Sequence, residues 1–451
     1  MRTTTGRGYF RRPVSPIEEG LLFHDFYCIE GIYVDQMVCD IVGDLDVARF
    51  EDTLHRLVRM HEILRTLYVR DGARLVAEIR ASVAPELPFH DFSDRREARE
   101  TAMRRNAVNV RRPFHPSQEV SRCALYRLNE RLHVFSWTYH HALADSWTLH
   151  LLQEHFCAIY RGLQEGGEVE AEAAPYSGYV RWIADQDTAS VSQFWSEYLA
   201  RQPKNNVRID PNPDLRGERN SIRIELSAEA RAHLEMVRRA NRVTLNIAVL
   251  AMWGIFALAR QKTTTCLLGC AVFGRSLPLK GINSMAGVCS NTVPVIIDEA
   301  APLGALLPRL QKHVLQASGR SFLSLGDVLA TAGLSHRDMH SVVNFTIDRP
   351  DIATADSAAL PFSITNIRYS QAASFDAYLD VEIGEETIAL TIHFDRGRRT
   401  FDEAGDRRAC ETIARAMAEH VRGTVDDVVD ALLLDGGPFN AGFDFAAERT
   451  L

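Results

Sequence analysis

Lysine is close to absent from this chain, with four lysines against 47 arginines in 451 residues. The skew reads as codon bias of a GC-rich genome and not as a basic site. Asp and Glu outnumber Lys and Arg by 59 to 51, for a formal net charge of -8 and a pI near 6.1. That balance argues against non-specific attraction to nucleic acid or to an anionic membrane. Paired cysteine motifs are missing as well. Cys28, Cys39, Cys123, Cys157, Cys266, Cys270, Cys289 and Cys410 include no C-x-x-C and do not cluster with histidines at zinc-site spacing. They are expected to be scattered small hydrophobes in a reducing compartment. The N-terminal "MRTTTGRGYFRRPVSP" lacks the apolar core of a signal peptide, and no run approaches the length of a membrane span. The expected location is the cytoplasm, with neither nucleic acid nor membrane as a partner.

What the chain does contain is ample material for a core: 46% of residues are hydrophobic and 24% charged. A length of 451 residues exceeds what one core usually organises, so two domains are expected. Strand-like and helix-like patterns mix without strict alternation. The stretch 33–43 reads as a strand ending in a Gly turn, and 46–64 as an amphipathic helix. Hairpins are expected over 65–79, around a D-G turn, and over 121–141. Helices follow over 146–163, 227–241 and 244–261, and strands over 263–275, 292–299 and 386–396. The acidic, Gly-containing segment "QEGGEVEAEAAP" (164–175) is the best linker candidate. The fold class this predicts is α+β: two sandwich-like lobes with a cleft between them, residues 1–176 and 177–451.

The chemistry concentrates in "FSWTYHHALADSWTLHLL" (135–152), where a strand-like run gives way to a helix-like one. Adjacent side chains on a strand point to opposite faces, so at most one of His140 and His141 easily faces a common pocket. If the strand ends at His140, His141 opens the loop, where catalytic groups tend to be displayed. His140 then reads as a packed, hydrogen-bonded core histidine. Asp145 stands where a helix cap would, and Ser146 is a second capping candidate. A metal held by His140, His141 and Asp145 is disfavoured, because adjacent residues rarely converge on one ion and no segment offers the remaining ligands. Ser146 lacks the G-x-S-x-G elbow of a serine nucleophile.

These residues also carry a resemblance. "HHALADS" is similar to the HHxxxDG signature of condensation domains of nonribosomal peptide synthetases, within the wider coenzyme-A-dependent acyltransferase superfamily. Other segments follow in family order. "VSPIEEGLLFH" (14–24) resembles S-P-x-Q-E-G-x-L-F-H, with Glu18 where Gln is usual. "MHEILRTLY" (60–68) resembles R-H-E-x-L-R-T-x-F, and "PYSGYVRW" (175–182) resembles Y-x-D-Y-A-x-W. "FGRSLPLKGINSMAGVCSNTVPV" (273–295) resembles the G-R…G-x-F-x-N-T-x-P segment, and "VVNFTID" (342–348) also fits.

The resemblance implies two lobes of chloramphenicol-acetyltransferase-like fold in a V, with the active site in a tunnel that donor and acceptor enter from opposite ends. It implies that His141 is catalytic, as general base or nucleophile-positioning group, that His140 is structural, and that Asp145 partners Arg275. Asn291 and Ser15 are expected to lie along the tunnel. Ser146 stands where the family keeps glycine, and is expected to wall the acceptor side or to offer its N–H to an oxyanion. No metal and no bound cofactor is expected. The donor would ride on the phosphopantetheine of a separate acyl or peptidyl carrier protein, and the acceptor would be a small amine or alcohol. The family's H-Q-D-x-P-F-E element is not recognisable in "RSFLSLGDVLA" (320–330), and no carrier-type G-x-D-S-L is present, so a free-standing enzyme is expected if residue 1 is the natural start. Two alternatives stay open: an acyltransferase that takes acyl-coenzyme A directly, and an inactive carrier-docking module.

Overall fold

The computed structural model describes residues 3–5, 8–27, 33–167, 172–202, 219–346, 360–370, 377–395 and 401–434. Part of the linker candidate (168–171), the end of "VVNFTID" (347–348) and Cys28 lie outside them.

The first half is built on a five-stranded sheet in the order Phe362–Ser370, Val34–Gly43, Leu132–His140, Ser121–Asn129, Phe89–Asp91. Its central strand, "LHVFSWTYH", is buried along nearly its whole length and does not alternate, because both faces are covered. Phe135, Trp137 and Tyr139 share one face with Cys39 and Ile41 in the main core, which also holds Phe50, Leu54, Leu149 and Phe156 from the helices Val47–Met60 and Ser146–Glu165. On the other face Val134 packs with Ala102 of the helix Ala98–Arg111, and Gln36 donates to Thr138 and Asn106. The expected hairpins form at Thr66–Asp71 with Arg74–Arg80, and at Ser121–Asn129 with Leu132–His140.

A six-stranded sheet organises the second half, in the order Asn291–Asp298, Thr265–Val272, Val342–Phe345, Ala377–Ile383, Ile388–Asp395, Arg219–Leu226. The helix Leu245–Gln261 is buried all round over 247–259, as that uninterrupted apolar run requires. No single helix among the described residues is long and apolar enough to cross a membrane. The seven described cysteines are free, and all but Cys123 are buried.

One strand breaks the division by sequence. Phe362–Ser370, from the second half, pairs antiparallel with Val34–Gly43 of the first. A single boundary near residue 176 therefore leaves one strand of the first sheet on the far side of the cut. Buried polar groups tie the halves as well. Glu18 accepts from both terminal guanidinium nitrogens of Arg12, Nη1 and Nη2 (2.8 and 2.7 Å), and from the Tyr68 hydroxyl (2.8 Å). Glu62 accepts from the Ser177 backbone (2.8 Å) and hydroxyl (2.9 Å), and lies 3.7 Å from Arg12. The segments 14–24, 60–68 and 175–182, far apart in sequence, thus meet in one cluster. A carboxylate at position 18 in place of the amide is matched by Arg12.

Gly43 ends its strand at φ +136, and an added Cβ would lie 2.5 Å from the Pro361 carbonyl oxygen. Gly72, in an open hairpin turn at φ +64, has nothing within 4 Å. Gly72→Ala is expected to bear only the backbone cost, about 1–2 kcal/mol. Gly43→Ala should cost more, because it also pushes the crossing strand away; equilibrium denaturation of the two variants measures the difference.

Candidate functional site

The motif helix Ser146–Glu165 starts at Asp145, whose carboxylate accepts the Thr148 N–H at 2.8 Å as an N-cap. The same side chain reaches across to the second half. Its Oδ2 accepts the backbone N–H groups of Cys289 (2.9 Å) and Ser290 (3.0 Å), and Arg275 donates to both oxygens at 3.2 Å. Arg275 also donates to the carbonyls of Ile282, Met285 and Gly287. Burial presses the Asp145 carboxyl upward, but the Arg275 charge and the bonds from Thr148 and Cys289 outweigh it and hold it below the usual carboxylate range. Gly274, at φ +63, turns the chain so that Arg275 can enter: a Cβ there would fall 1.8 Å from the Cys289 carbonyl oxygen. Asp145 is thus both the helix cap and the ion-pair partner of Arg275, and no hydrogen bond from the Ser146 side chain caps this helix.

The two histidines part as the strand geometry requires. His140 is fully buried; its Nδ1 accepts the Ala142 N–H (3.1 Å), so Nε2 carries the proton and donates to Asp25 (2.9 Å). His141 follows the last strand residue, and its side chain stays 28% exposed. Its Nδ1 lies 2.7 Å from Oδ2 of Asp35, a carboxylate with 1% exposure. A carboxylate accepts, so Nδ1 carries the proton and the lone pair of the neutral ring sits on Nε2. Burial lowers the imidazole pKa, but the charge and hydrogen bond of Asp35, with a smaller contribution from Asp145, outweigh it and raise it above the ordinary value.

Asp35 is the residue that sequence reasoning missed. In the ladder it pairs with Tyr139, two positions before His141, so the two side chains are diagonal neighbours on one sheet face. The signal available was a lone carboxylate in the apolar strand "YVDQMVCDIVG", since a buried charge needs a partner.

Two cavities flank this point. One, of about 590 Å³, is lined by His141, Asp35, Asn291 and the segment Ser324–Asp327. The other, of about 630 Å³, is lined by His150, Glu154, Asp380 and His393. Ser146, Phe273, Asn344 and Tyr378 line both. Asn291 faces the first cavity while its amide nitrogen donates to the carbonyls of Ser321 and Leu323. Ser15, expected along a tunnel, lines neither of these two cavities. It is fully buried, with its hydroxyl 3.2 Å from the Tyr176 hydroxyl and accepting the Glu18 N–H, and the neighbouring Pro16, Ile17 and Gly20 form the wall instead. Among the described residues no group of three or more His, Cys, Asp or Glu side chains is placed to hold a metal ion.

Comparison with known proteins gives this arrangement a family. The model of the condensation domain family matches residues 11–435. The chain belongs to the condensation domain family. Bacitracin synthase 3 of Bacillus licheniformis is 25% identical over 426 residues, covering 92% of this chain. Tyrocidine synthase 2 of Brevibacillus parabrevis is 26% identical over 432 residues, again covering 92%. The chain spans 7% and 12% of the lengths of those two proteins. Among solved structures, the X-domain from teicoplanin biosynthesis superposes with a TM-score of 0.79 at 19% identity, covering 92% of this chain and 96% of that one. VibH, a condensation enzyme of nonribosomal peptide synthesis, gives 0.69 at 17% identity, covering 89% and 97%. The fold is therefore the two-lobe, chloramphenicol-acetyltransferase-like fold of condensation domains.

Removing one member of the Asp145–Arg275 pair strands the other as a buried charge. Asp145→Ala and Arg275→Ala are each expected to lose about 3–5 kcal/mol of stability. The double variant should lose less than the sum, because the second change removes a charge already unpaired. Because the Asp145 pKa is lowered, its contribution is present above its unfolded value and fades as pH falls through the folded one. Denaturation of the parent and Asp145→Asn across acid pH should therefore converge at the low end.

Proposed function

We propose that this chain transfers an acyl group from a carrier-protein thioester to an amine or hydroxyl acceptor, forming an amide or ester, with His141 as general base or nucleophile-positioning group. The observation that carries the reading is the His141–Asp35 bond. It leaves the unprotonated Nε2 without a partner among the described residues, on a side chain that lines a cavity continuous in its walls with a second one.

The acceptor nitrogen or oxygen attacks the thioester carbonyl carbon while Nε2 takes its proton. The carbonyl oxygen becomes an oxyanion, and the Ser146 N–H, in the first turn of a 20-residue helix, is the donor proposed for it. Collapse of the tetrahedral intermediate breaks the C–S bond, and the departing thiolate takes the proton held by His141. Asp35 acts through His141: it fixes the tautomer and favours the imidazolium that forms in mid-reaction. For an amine that arrives neutral, positioning carries more of the rate. His140, Asp145 and Arg275 hold the strand-to-helix connection, and Asn291 holds the wall opposite. The two cavities are read as the two approaches of a tunnel, one for the phosphopantetheine arm of the carrier and one for the acceptor. The proposal includes the lobe division at 176/177, with the strand Phe362–Ser370 returned across it, and a cytoplasmic setting.

The deciding experiment offers one acyl group on a carrier protein and on coenzyme A with the same acceptor. Faster transfer from the carrier supports the reading; equal or faster transfer from coenzyme A points to the acyl-coenzyme A alternative, and none from either to a docking module. His141→Ala is expected to lower turnover by about 10²–10⁴ with the melt unchanged. Asp35→Asn removes the charge that raises the His141 pKa, so the acid limb of the rate profile should move to lower pH while the plateau falls. Ser146→Gly is expected to admit bulkier acceptors with little loss for the native one, read from an acceptor panel.

A further inference from the structure

A third cavity, of about 790 Å³, lies in the first half and shares with the site only a boundary residue. Its inner wall is the sheet face bearing Met37, Cys39, Phe135 and Trp137, and Phe50 and Phe156 also line it from the helices Val47–Met60 and Ser146–Glu165. Ile364 and Ile367 line it from the crossing strand. Phe135, Trp137 and Phe156 each keep 8% exposure, whereas Ile255 and Phe256 of the helix Leu245–Gln261, in the same core, have none. Interiors are normally close-packed, so large apolar side chains that border free volume mark a chamber for an apolar guest.

The rim has a different character. Five arginines line the cavity against two carboxylates, Glu86 and Glu119: Arg65, Arg80, Arg105 and Arg112, and the buried Arg122, whose guanidinium donates to the carbonyls of Asn109, Arg112 and Pro113. The local balance, 5 − 2, is +3 in a chain whose net charge is -8. Glu119 lies 3.0 Å from both Arg112 and Arg122. Arg65 donates to the carbonyls of Val58 and Arg80, and Arg105 donates to His90 (3.2 Å). Arg65, Arg80 and Arg105 form no ion pair among the described residues. Val108, an apolar side chain 65% exposed, stands at the same rim. An oily interior under a cationic mouth is complementary to one class of molecule, a linear hydrocarbon with an anionic head.

We propose that this chamber binds a free fatty acid of medium to long chain, with its alkyl chain against Trp137 and its carboxylate at Arg65, Arg80 and Arg105. Leu149 lines both the chamber and the 630 Å³ cavity of the candidate site, so an occupant would be felt one side chain away from the tunnel. The inference does not depend on the acyl-transfer reading, because binding is measured without turnover.

The test titrates the full chain with decanoate, dodecanoate and tetradecanoate below their micellar range, reading tryptophan fluorescence. Trp137→Phe identifies the signal among the five tryptophans. Saturable binding should tighten by about fourfold per added methylene until the chamber is filled. Arg80→Gln combined with Arg105→Gln should weaken dodecanoate by about tenfold or more and leave dodecanol unchanged. Leu54→Trp, which fills the chamber, should abolish binding; if that variant does not fold, the arginine pair and the chain-length series still decide. The proposal fails if dodecylammonium binds as tightly as dodecanoate, if chain length has no effect, or if the arginine pair leaves dodecanoate binding unchanged. It also fails if the dodecanoyl thioester of N-acetylcysteamine binds while the free acid does not, since the chamber would then be a branch of the tunnel.

Discussion

The buried carboxylate of Asp145 is the constraint on which the site depends. A lone carboxylate this deep would be expelled or neutralised. Here Arg275, two backbone N–H groups of the segment 289–290 and the first turn of a long helix converge on it. Because those donors come from both halves of the chain, satisfying one charge fixes the helix start, the 141–145 connection and the 287–290 loop together. The Ile282 and Met285 carbonyls receive Nη1 of the arginine and the Gly287 carbonyl shares Nη2 with Asp145, while Nε stays buried without a hydrogen bond. A polar network satisfied at every other donor around this charge specifies one arrangement and tolerates little deviation from it.

His141 profits from that rigidity without belonging to it. Its hydrogen bond goes to Asp35 on the neighbouring strand, so its orientation is set by ladder register and not by the Asp145 network. Asp145 and Asp35 thus divide the work around His141. Asp145 holds the backbone, and Asp35, outside the motif, sets the ring's tautomer and its proton affinity. A charge that raises an imidazole pKa makes a stronger base but demands a higher pH to keep it neutral, and the geometry commits the ring to that exchange.

The two halves are more interlocked than a two-lobe description suggests. A strand from the second half completes the first sheet, and the Arg12–Glu18–Glu62 cluster, reached by Ser177, secures the region where the chain passes from one half to the other. Relative motion of the lobes would have to keep both, which confines it to small adjustments around the cavities between them.

The elements that local patterning defines were legible in the sequence. A continuous apolar run marks the motif strand and helical spacing its helix, the D-G turn marks a hairpin, and the apolar run 247–259 falls in a helix. The order of the resembling segments carries the family, and strand alternation separates His140 from His141. Each of these is a short-range property, written in spacing along the chain. What the sequence could not supply is anything set by which strand lies beside which. Asp35 lies 106 positions before His141, and only the antiparallel register makes them neighbours. Ser15 is one residue from the wall of the 590 Å³ cavity, and the packing of Tyr176 against it decides that its side chain points inward. The crossing strand Phe362–Ser370 and the chamber behind Trp137 depend on sheet order and on how completely facing layers fill their gap. Spacing along the chain fixes what a residue can do locally; long-range pairing decides what it meets, and both the partner of His141 and the free volume are consequences of what is met.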